Sequence, residues 1–384
     1  MGTHDPIRFL GTLSSKLAAR SRHISVLLGA GSSRACGLPD IDQLRARVAE
    51  KLDPSLQAAF SAQIEGRNIE QALSRIRRIC SVVTGEQAID GLTMAGATEL
   101  DLAICARIVA ELDVSGANLI PVRQFAVWAG RSSFSMPIEV FTVNYDLLLE
   151  TAFDKHRVTY FDGFVGTLRA QFQTELVENI VGPQTDTVPP FFVRLWKLHG
   201  SVNWAWEEGR KVVRLGAPVG DGSAAAIYPS ELKYEESRRV PFLVLQDRLR
   251  RALNHPESLT LICGYSFSDE HLNELIFDAA ERRERSEVVV LCYDDIPDLL
   301  AERAIATPNL QVVGRAQAVL SGTRGAWKIP DDAPVEFFSK EHFLLPDFAV
   351  LASFLAKSSG YLNERDPVIK DLIASIQAAA AGAE

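Results

Sequence analysis

Five short runs of this chain are almost wholly apolar and rich in β-branched residues: 24–28, 138–143, 192–198, 259–263 and 288–292. Unbroken apolar runs of this length lack a polar alternate face, so they predict strands buried on both sides, as in a parallel sheet. Each run ends in polar or glycine-containing residues. These are Gly29-Ala30-Gly31, Asn144-Tyr145-Asp146, His199-Gly200-Ser201, Gly264-Tyr265-Ser266 and Tyr293-Asp294-Asp295. The chemistry of such a sheet gathers at the carboxyl edge of its strands.

Between the first two runs the spacing changes. Leu44, Val48, Leu52, Leu56 and Phe60 recur every four residues, and Ile69, Leu73, Ile76 and Ile79 follow the same helical period. Leu102, Ile104, Ile108 and Leu112 continue it, with Gly91 and Ser115-Gly116 as punctuation. This predicts a helical insertion over about 46–130. A short helix is expected over 6–20, an irregular loop over 163–190 and a small hairpin over 207–222. A helical extension over 334–384 follows a main domain spanning 1–333. It is patterned first on Phe348, Leu351, Phe354 and Leu355, then on Val368, Leu372 and Ile376.

Hydrophobic residues form 47% of the 384, enough for a large core, and the formal net charge of −9 argues against affinity for a nucleic-acid backbone. The cluster Arg75, Arg77 and Arg78 lies on a helical pattern and reads as a solvated or partner-facing surface. Cysteines stand at 36, 80, 105, 263 and 292, an odd number without a C-x-x-C pair, so neither a zinc knuckle nor a disulfide framework is expected. Reduced thiols imply a cytoplasmic setting. No secretory leader and no membrane span are read from the hydropathy.

The first strand-to-helix junction carries the strongest chemical signal. Leu28-Gly29-Ala30-Gly31-Ser32-Ser33 is followed by Gly37-Leu38-Pro39-Asp40. Glycines here let backbone approach a phosphate, and N–H groups at a helix start donate to it. The dinucleotide fingerprint G-x-G-x-x-G would place a third glycine at 34, where Arg34 stands, and no lysine follows Gly37 as a phosphate loop requires. Taken singly, Asn144 reads equally as a turn residue, Asp146 as a helix cap and His199 as a structural histidine.

Taken in order, the pieces G-A-G-S-S with G-L-P-D, T-V-N-Y-D, L-H-G-S and G-Y-S-F-S resemble the sirtuin family, over about 24–45, 138–150, 192–204 and 258–295. The resemblance implies a Rossmann-like, doubly wound α/β fold that binds NAD and breaks its nicotinamide–ribose bond. By that resemblance Gly29, Ala30, Gly31 and Ser32 hold the pyrophosphate, and Pro39 and Asp40 of the G-L-P-D segment belong to the same NAD site. Asn144 sits at the nicotinamide ribose and positions water, Asp146 meets the carboxamide, and His199 meets the ribose hydroxyls or acts as a base. Gly264 and Ser266 line the adenosine side, with Tyr293 near the adenine ribose.

The chain departs from protein-deacylating sirtuins. It has no cysteine between 106 and 262, so their zinc module is missing and no zinc is expected. Ile41-Asp42 replaces Phe-Arg, and T-V-N-Y-D replaces T-Q-N-I-D. These features, the helical insertion and Ile-Tyr-Pro-Ser-Glu-Leu-Lys-Tyr at 227–234 look most like the sirtuin-like NAD hydrolases of antiphage defence, and among them the member paired with a HerA-type ATPase. An unregulated NAD hydrolase would harm its own cell, so control by assembly, as a homo-oligomer, or by a partner is expected. The segments 46–130 and 334–384 are the candidate contact surfaces, because neither is needed for the sheet, or else both simply cover the core. Two alternatives stay open: an NAD-dependent protein deacylase, and a non-catalytic sensor of NAD or ADP-ribose.

Overall fold

The computed structural model of the chain describes residues 2–85, 87–131, 134–178, 192–207, 211–219, 225–227, 240–282, 286–331, 333–339 and 341–358. Its centre is a ten-stranded, mainly parallel sheet. The strands are β1 (Gly2–His4), β2 (Ile24–Leu28), β3 (Ile138–Thr142), β4 (Tyr160–Phe161), β7 (Val193–Lys197), β11 (Leu259–Cys263), β12 (Glu287–Leu291), β13 (Leu310–Val313), β14 (Gln317–Leu320) and β15 (Thr323–Trp327). Their order is β1-β15-β14-β13-β12-β11-β2-β3-β7-β4. The five apolar runs of the sequence are β2, β3, β7, β11 and β12. All five pair in parallel and are buried at every position.

After the edge strand β1, the chain enters the middle of this sheet at β2. From β2 it builds outward through β3 and β7, then crosses back to β11 and continues through β12 to β13. The winding therefore reverses between β2 and β11, and ligands of open α/β sheets bind at the carboxyl side of such a reversal.

Alternate residues of the strands face two layers. Val26, Leu28, Val140 and Leu261 share a core with α1 (Pro6–Ala18), α7 (Ile120–Arg131), α8 (Leu148–Lys155) and α13 (Phe348–Ser358). Leu27, Phe141, Trp196 and Ile262 face the other side, with α10 (Phe242–Leu253), α11 (Glu270–Arg282) and α12 (Asp298–Ala306). The architecture is α/β and Rossmann-like, as the apolar runs predict.

A third core is separate. The helices α3 (Ile41–Lys51), α4 (Pro54–Ile64), α5 (Ile69–Val82) and α6 (Met94–Glu111) bury Leu44, Phe60, Leu73 and Ile104 together. Arg75 and Arg77 of this module pair with Asp90 and Asp101. Its floor is a second, antiparallel sheet of order β10-β8-β9-β6-β5, contributing Val202, Ala205 and Val213 to the same core. That sheet comprises β5 (Phe164–Val165), β6 (Arg169–Phe172), β8 (Gly200–Glu207), β9 (Lys211–Leu215) and β10 (Ala225–Ile227).

Four expectations change. The loop expected over 163–190 holds β5, β6 and α9 (Thr174–Glu178), and 179–190 lies outside the described residues. The hairpin of 207–222 starts earlier, because β8 begins at Gly200. Helix α7, at the end of the helical run, packs on the main sheet and not with α3–α6; Phe125 and Trp128 are buried there. Helix α13, expected within an extension, is built into that core through Phe348, Leu351 and Leu355. The patterns at 368–376 and most of 227–234 lie outside the described residues. One more helix, the five-residue α2 (Ala30–Arg34), follows β2 directly.

Buried polar contacts tie the sheet together below the strand ends. Glu139 on β3 is fully buried and pairs with Arg248 on α10, with His23 at 2.9 Å and with the indole N–H of Trp196 at 2.8 Å. Burial alone would push this carboxyl up; hydrogen bonds and charge from His23 and Arg248 outweigh it and hold the group well below the usual carboxylate range.

Candidate active site at the carboxyl edge of the sheet

The loops after β2 and β11 interlock at the reversal. The N–H of Gly29 donates to Cys263 O (3.0 Å) and that of Gly31 to Gly264 O (2.9 Å). A Cβ at Gly29 would lie 2.4 Å from Gly264 O, and one at Gly31 2.7 Å from Gly264 Cα. Gly264 itself has φ +67°, and a Cβ there would stand 2.6 Å from Ser32 N. Backbone against backbone leaves no room for side chains, which is why three glycines stand here.

Next to this knot, the loop after β3 turns inward. The side-chain NH₂ of Asn144 donates toward Gly29 O (3.0 Å), Ser32 Oγ (3.0 Å) and Ser33 Oγ (2.8 Å). Its Oδ1 makes no hydrogen bond among the described residues, so it remains an acceptor for a ligand. Asp146 is buried with both oxygens used: Oδ2 accepts from Ser33 Oγ (2.5 Å) and Oδ1 from the N–H of Leu148 (3.0 Å). Tyr145, between them, points into the helical module and donates from its hydroxyl to Glu70 Oε1 at 2.6 Å. Burial, reinforced by the Glu70 charge, pushes the Tyr145 phenol well up, so it stays neutral.

Behind the loop, Lys197 at the end of β7 is buried and donates to the carbonyl of Asp146 and to Glu150 Oε1 (3.0 Å). Burial pushes the Glu150 carboxyl up, and the Lys197 charge offsets part of that.

His199 follows β7 and is 6% exposed; Asp269, at the start of α11, is 3% exposed. His199 Nε2 lies 3.1 Å from Asp269 Oδ2. Asp269 Oδ1 accepts from the N–H groups of His271 (3.0 Å) and Leu272 (3.2 Å), which fixes the carboxylate as a helix cap. A carboxylate only accepts, so in the neutral imidazole Nε2 carries the proton and Nδ1 the lone pair. Nδ1 has no hydrogen-bond partner among the described residues. This is the arrangement of a general base held by a second group.

These residues open onto one cavity of about 690 Å³, within the size range of small-molecule sites. Of the residues singled out in the sequence, Ala30, Gly31, Pro39, Asp40, Asn144, Asp146, His199, Gly264, Ser266 and Tyr293 line it. Gly29 and Ser32 stand behind its wall, engaged with Cys263 O and Asn144. Pro39 leads into Asp40, which caps α3 through a reciprocal box with Gln43. Ser266 Oγ lies 3.0 Å from Ser268 Oγ. Tyr293 is stacked under the guanidinium of Arg315 at 5.1 Å. The helical module forms part of the wall through Ile69, Glu70 and Leu73.

Two cysteines line the cavity; burial pushes the Cys292 thiol up to about 12 and raises that of Cys263 as well, which disfavours the thiolate at both. Among the described residues no group of three or more His, Cys, Asp or Glu side chains is placed to hold a metal, and no helix is long and apolar enough to cross a membrane.

Sequence reasoning missed Ser33, Lys197, Asp269 and Glu70. Ser33 stands inside the quoted G-A-G-S-S. Lys197 had a signal, a lysine within an otherwise apolar buried run. Asp269 had a weaker one, an acid at a helix start. Glu70 had none.

Residues 138–313 match the family described as SIR2-like domain. The span runs from β3 to β13 and takes in Asn144, His199 and Asp269. No curated protein matches the chain. The match spans under half of the chain and supports a Sir2-like relationship for that stretch.

Proposed function

We propose that this chain is an NAD⁺ glycohydrolase, cleaving NAD⁺ to nicotinamide and ADP-ribose. The observation that carries the reading is the convergence of Asn144 and the Asp269-held His199 on one cavity at the sheet reversal, within a stretch that matches a SIR2-like domain.

The residues suit the chemistry. Cleaving the nicotinamide–ribose bond builds positive charge on the sugar, so the protein must position the bond, favour that charge and supply water. Asn144 is held by its NH₂ group, and its Oδ1 accepts a hydrogen bond from the attacking water or a ribose hydroxyl. His199, with its lone pair on Nδ1, takes the proton. Asp146 keeps Ser33 and Asn144 in register and meets the carboxamide side of the nicotinamide. The carboxylates around the cavity, Glu70 and Asp146 among them, favour a developing cation. Buried, protonated cysteines leave hydrolysis to water and not to a thiolate.

Further parts of the reading extend beyond the site. The protein is a cytoplasmic antiphage effector that depletes NAD⁺, a homo-oligomer controlled by assembly or by a HerA-type ATPase partner. It does not bind nucleic acid directly. Helices α3, α5 and α6 wall the cavity, which gives a partner on that module a route to the chemistry.

The test is to incubate the purified chain with NAD⁺, with and without a candidate ATPase, and to follow free nicotinamide. Release that is lost in Asn144→Ala and His199→Ala, with circular dichroism unchanged, is the expected result. Normal turnover by both variants refutes the assignment. Deacetylation of lysine peptides with no turnover of NAD⁺ alone would put the deacylase reading in its place.

A further inference from the structure

The cavity is strongly acidic. Eight carboxylates line it, among them Asp40, Glu70, Asp146 and Asp269, and among the described residues Arg34 is the sole lysine or arginine that does. A dinucleotide brings two negative phosphates into this field. The backbone donors expected to meet them are partly spent, because the N–H groups of Gly29 and Gly31 donate to Cys263 O and Gly264 O.

From this geometry we propose that Arg34 is the residue that binds the diphosphate. It rests on the NAD-cleaving reading and names the group that holds the substrate's charge. Arg34 ends α2, the turn that includes Ala30 and Gly31 of the cavity wall. Its side chain is 57% exposed, and among the described residues it has a single charged partner, Asp40, with Nη1 3.4 Å from Oδ2. Such an exposed pair contributes little and leaves most of the five guanidinium donors for a ligand. Asp40 Oδ1 is already occupied by the N–H of Gln43, so Asp40 tethers the guanidinium at the rim without neutralising a fixed bidentate pair. A planar fork of this kind matches two oxygens of a diphosphate, which lysine as a point charge does not. Arg34 is thus a binding residue, and the separation of charge within the cavity has a use. Arg34 holds the phosphates, while Asp146 and Asp269 stand beside Asn144 and His199, where positive charge develops.

The test is titration calorimetry of the full chain with ADP-ribose and with adenosine, in wild type, Arg34→Gln and Arg34→Lys. Loss of one charged bidentate contact weakens ADP-ribose binding by roughly 10- to 100-fold in Arg34→Gln, leaves adenosine binding unchanged, and is partly restored in Arg34→Lys. The exposed position of Arg34 lets both variants fold, which a thermal melt checks. Undiminished ADP-ribose binding by Arg34→Gln, with wild type binding well, overturns the assignment alone. Wild type that binds neither ADP-ribose nor NAD⁺ overturns the dinucleotide reading and this assignment with it.

Discussion

Substituting Asp269 by Asn tests the proposed base through a residue two steps from the chemistry. Asp269 Oδ1 accepts two N–H bonds at the start of α11, and Oδ2 faces His199 Nε2 at 3.1 Å. In Asp269→Asn the side-chain oxygen keeps the two helix bonds, because only an acceptor fits there, so the cap and the fold survive. The new NH₂ then occupies the place of Oδ2 and points donors at Nε2. His199 must accept with Nε2 and move its proton to Nδ1, which removes the lone pair available as a base. Loss of a positioned general base costs roughly 10²- to 10⁴-fold in rate, about 3–5 kcal/mol at 1.36 kcal/mol per tenfold. The assay is nicotinamide release under saturating and limiting NAD⁺: kcat falls by that factor and KM changes little. A kcat within about threefold of wild type, while His199→Ala is inactive, would refute the claim that Asp269 sets the tautomer.

Two further predictions concern the scaffold. Gly29→Ala and Gly264→Ala each force backbone apart where a Cβ would stand 2.4–2.6 Å from main-chain atoms, so each lowers stability by roughly 1–3 kcal/mol or more. In urea melts the double variant costs less than the sum, because both break one interface; strict additivity would show that the loops do not depend on each other. Glu139→Gln leaves Arg248 buried without its counter-charge and lowers stability by roughly 3–5 kcal/mol. The Glu139 carboxyl lies below its ordinary value in the folded chain, so its stabilisation is present at neutral pH. It is lost as pH falls below the ordinary carboxylate range toward the folded value. Equal acid midpoints for wild type and Glu139→Gln would count against this.

The parallel centre of the sheet was legible because its strands are buried on both faces, and burial on both faces writes an unbroken apolar run. The strands that escaped notice lie where that condition fails. Strands β13 to β15 carry Gln311, Gln317, Arg324 and Gly325 on a half-covered edge, and β5 and β6 are four residues or fewer. The boundary of the helical module could not be read from spacing, since α6 and α7 share one period and differ only in what they pack against. In the site, residues at strand ends were recognisable because they interrupt apolar runs. Their partners were not. Asp269 meets His199 across 70 positions of chain and Glu70 meets Tyr145 across 75, and no local pattern encodes such a meeting.

The glycine knot has a consequence for how such chains are found. The linear dinucleotide fingerprint fails at position 34, and by that rule the chain has a defective motif. In space, Gly264 brings α2 close against the neighbouring strand end, the service that a third glycine gives in the linear pattern. The motif is whole but discontinuous, shared between two segments that touch only after folding. A search that scores residues along one stretch discards such a chain; one that scores Gly29, Gly31 and Gly264 as a spatial triplet retains it. The triplet also ties the two loops sterically. Neither can gain a side chain unless the other retreats, so a substitution in one loop demands a shift of the other.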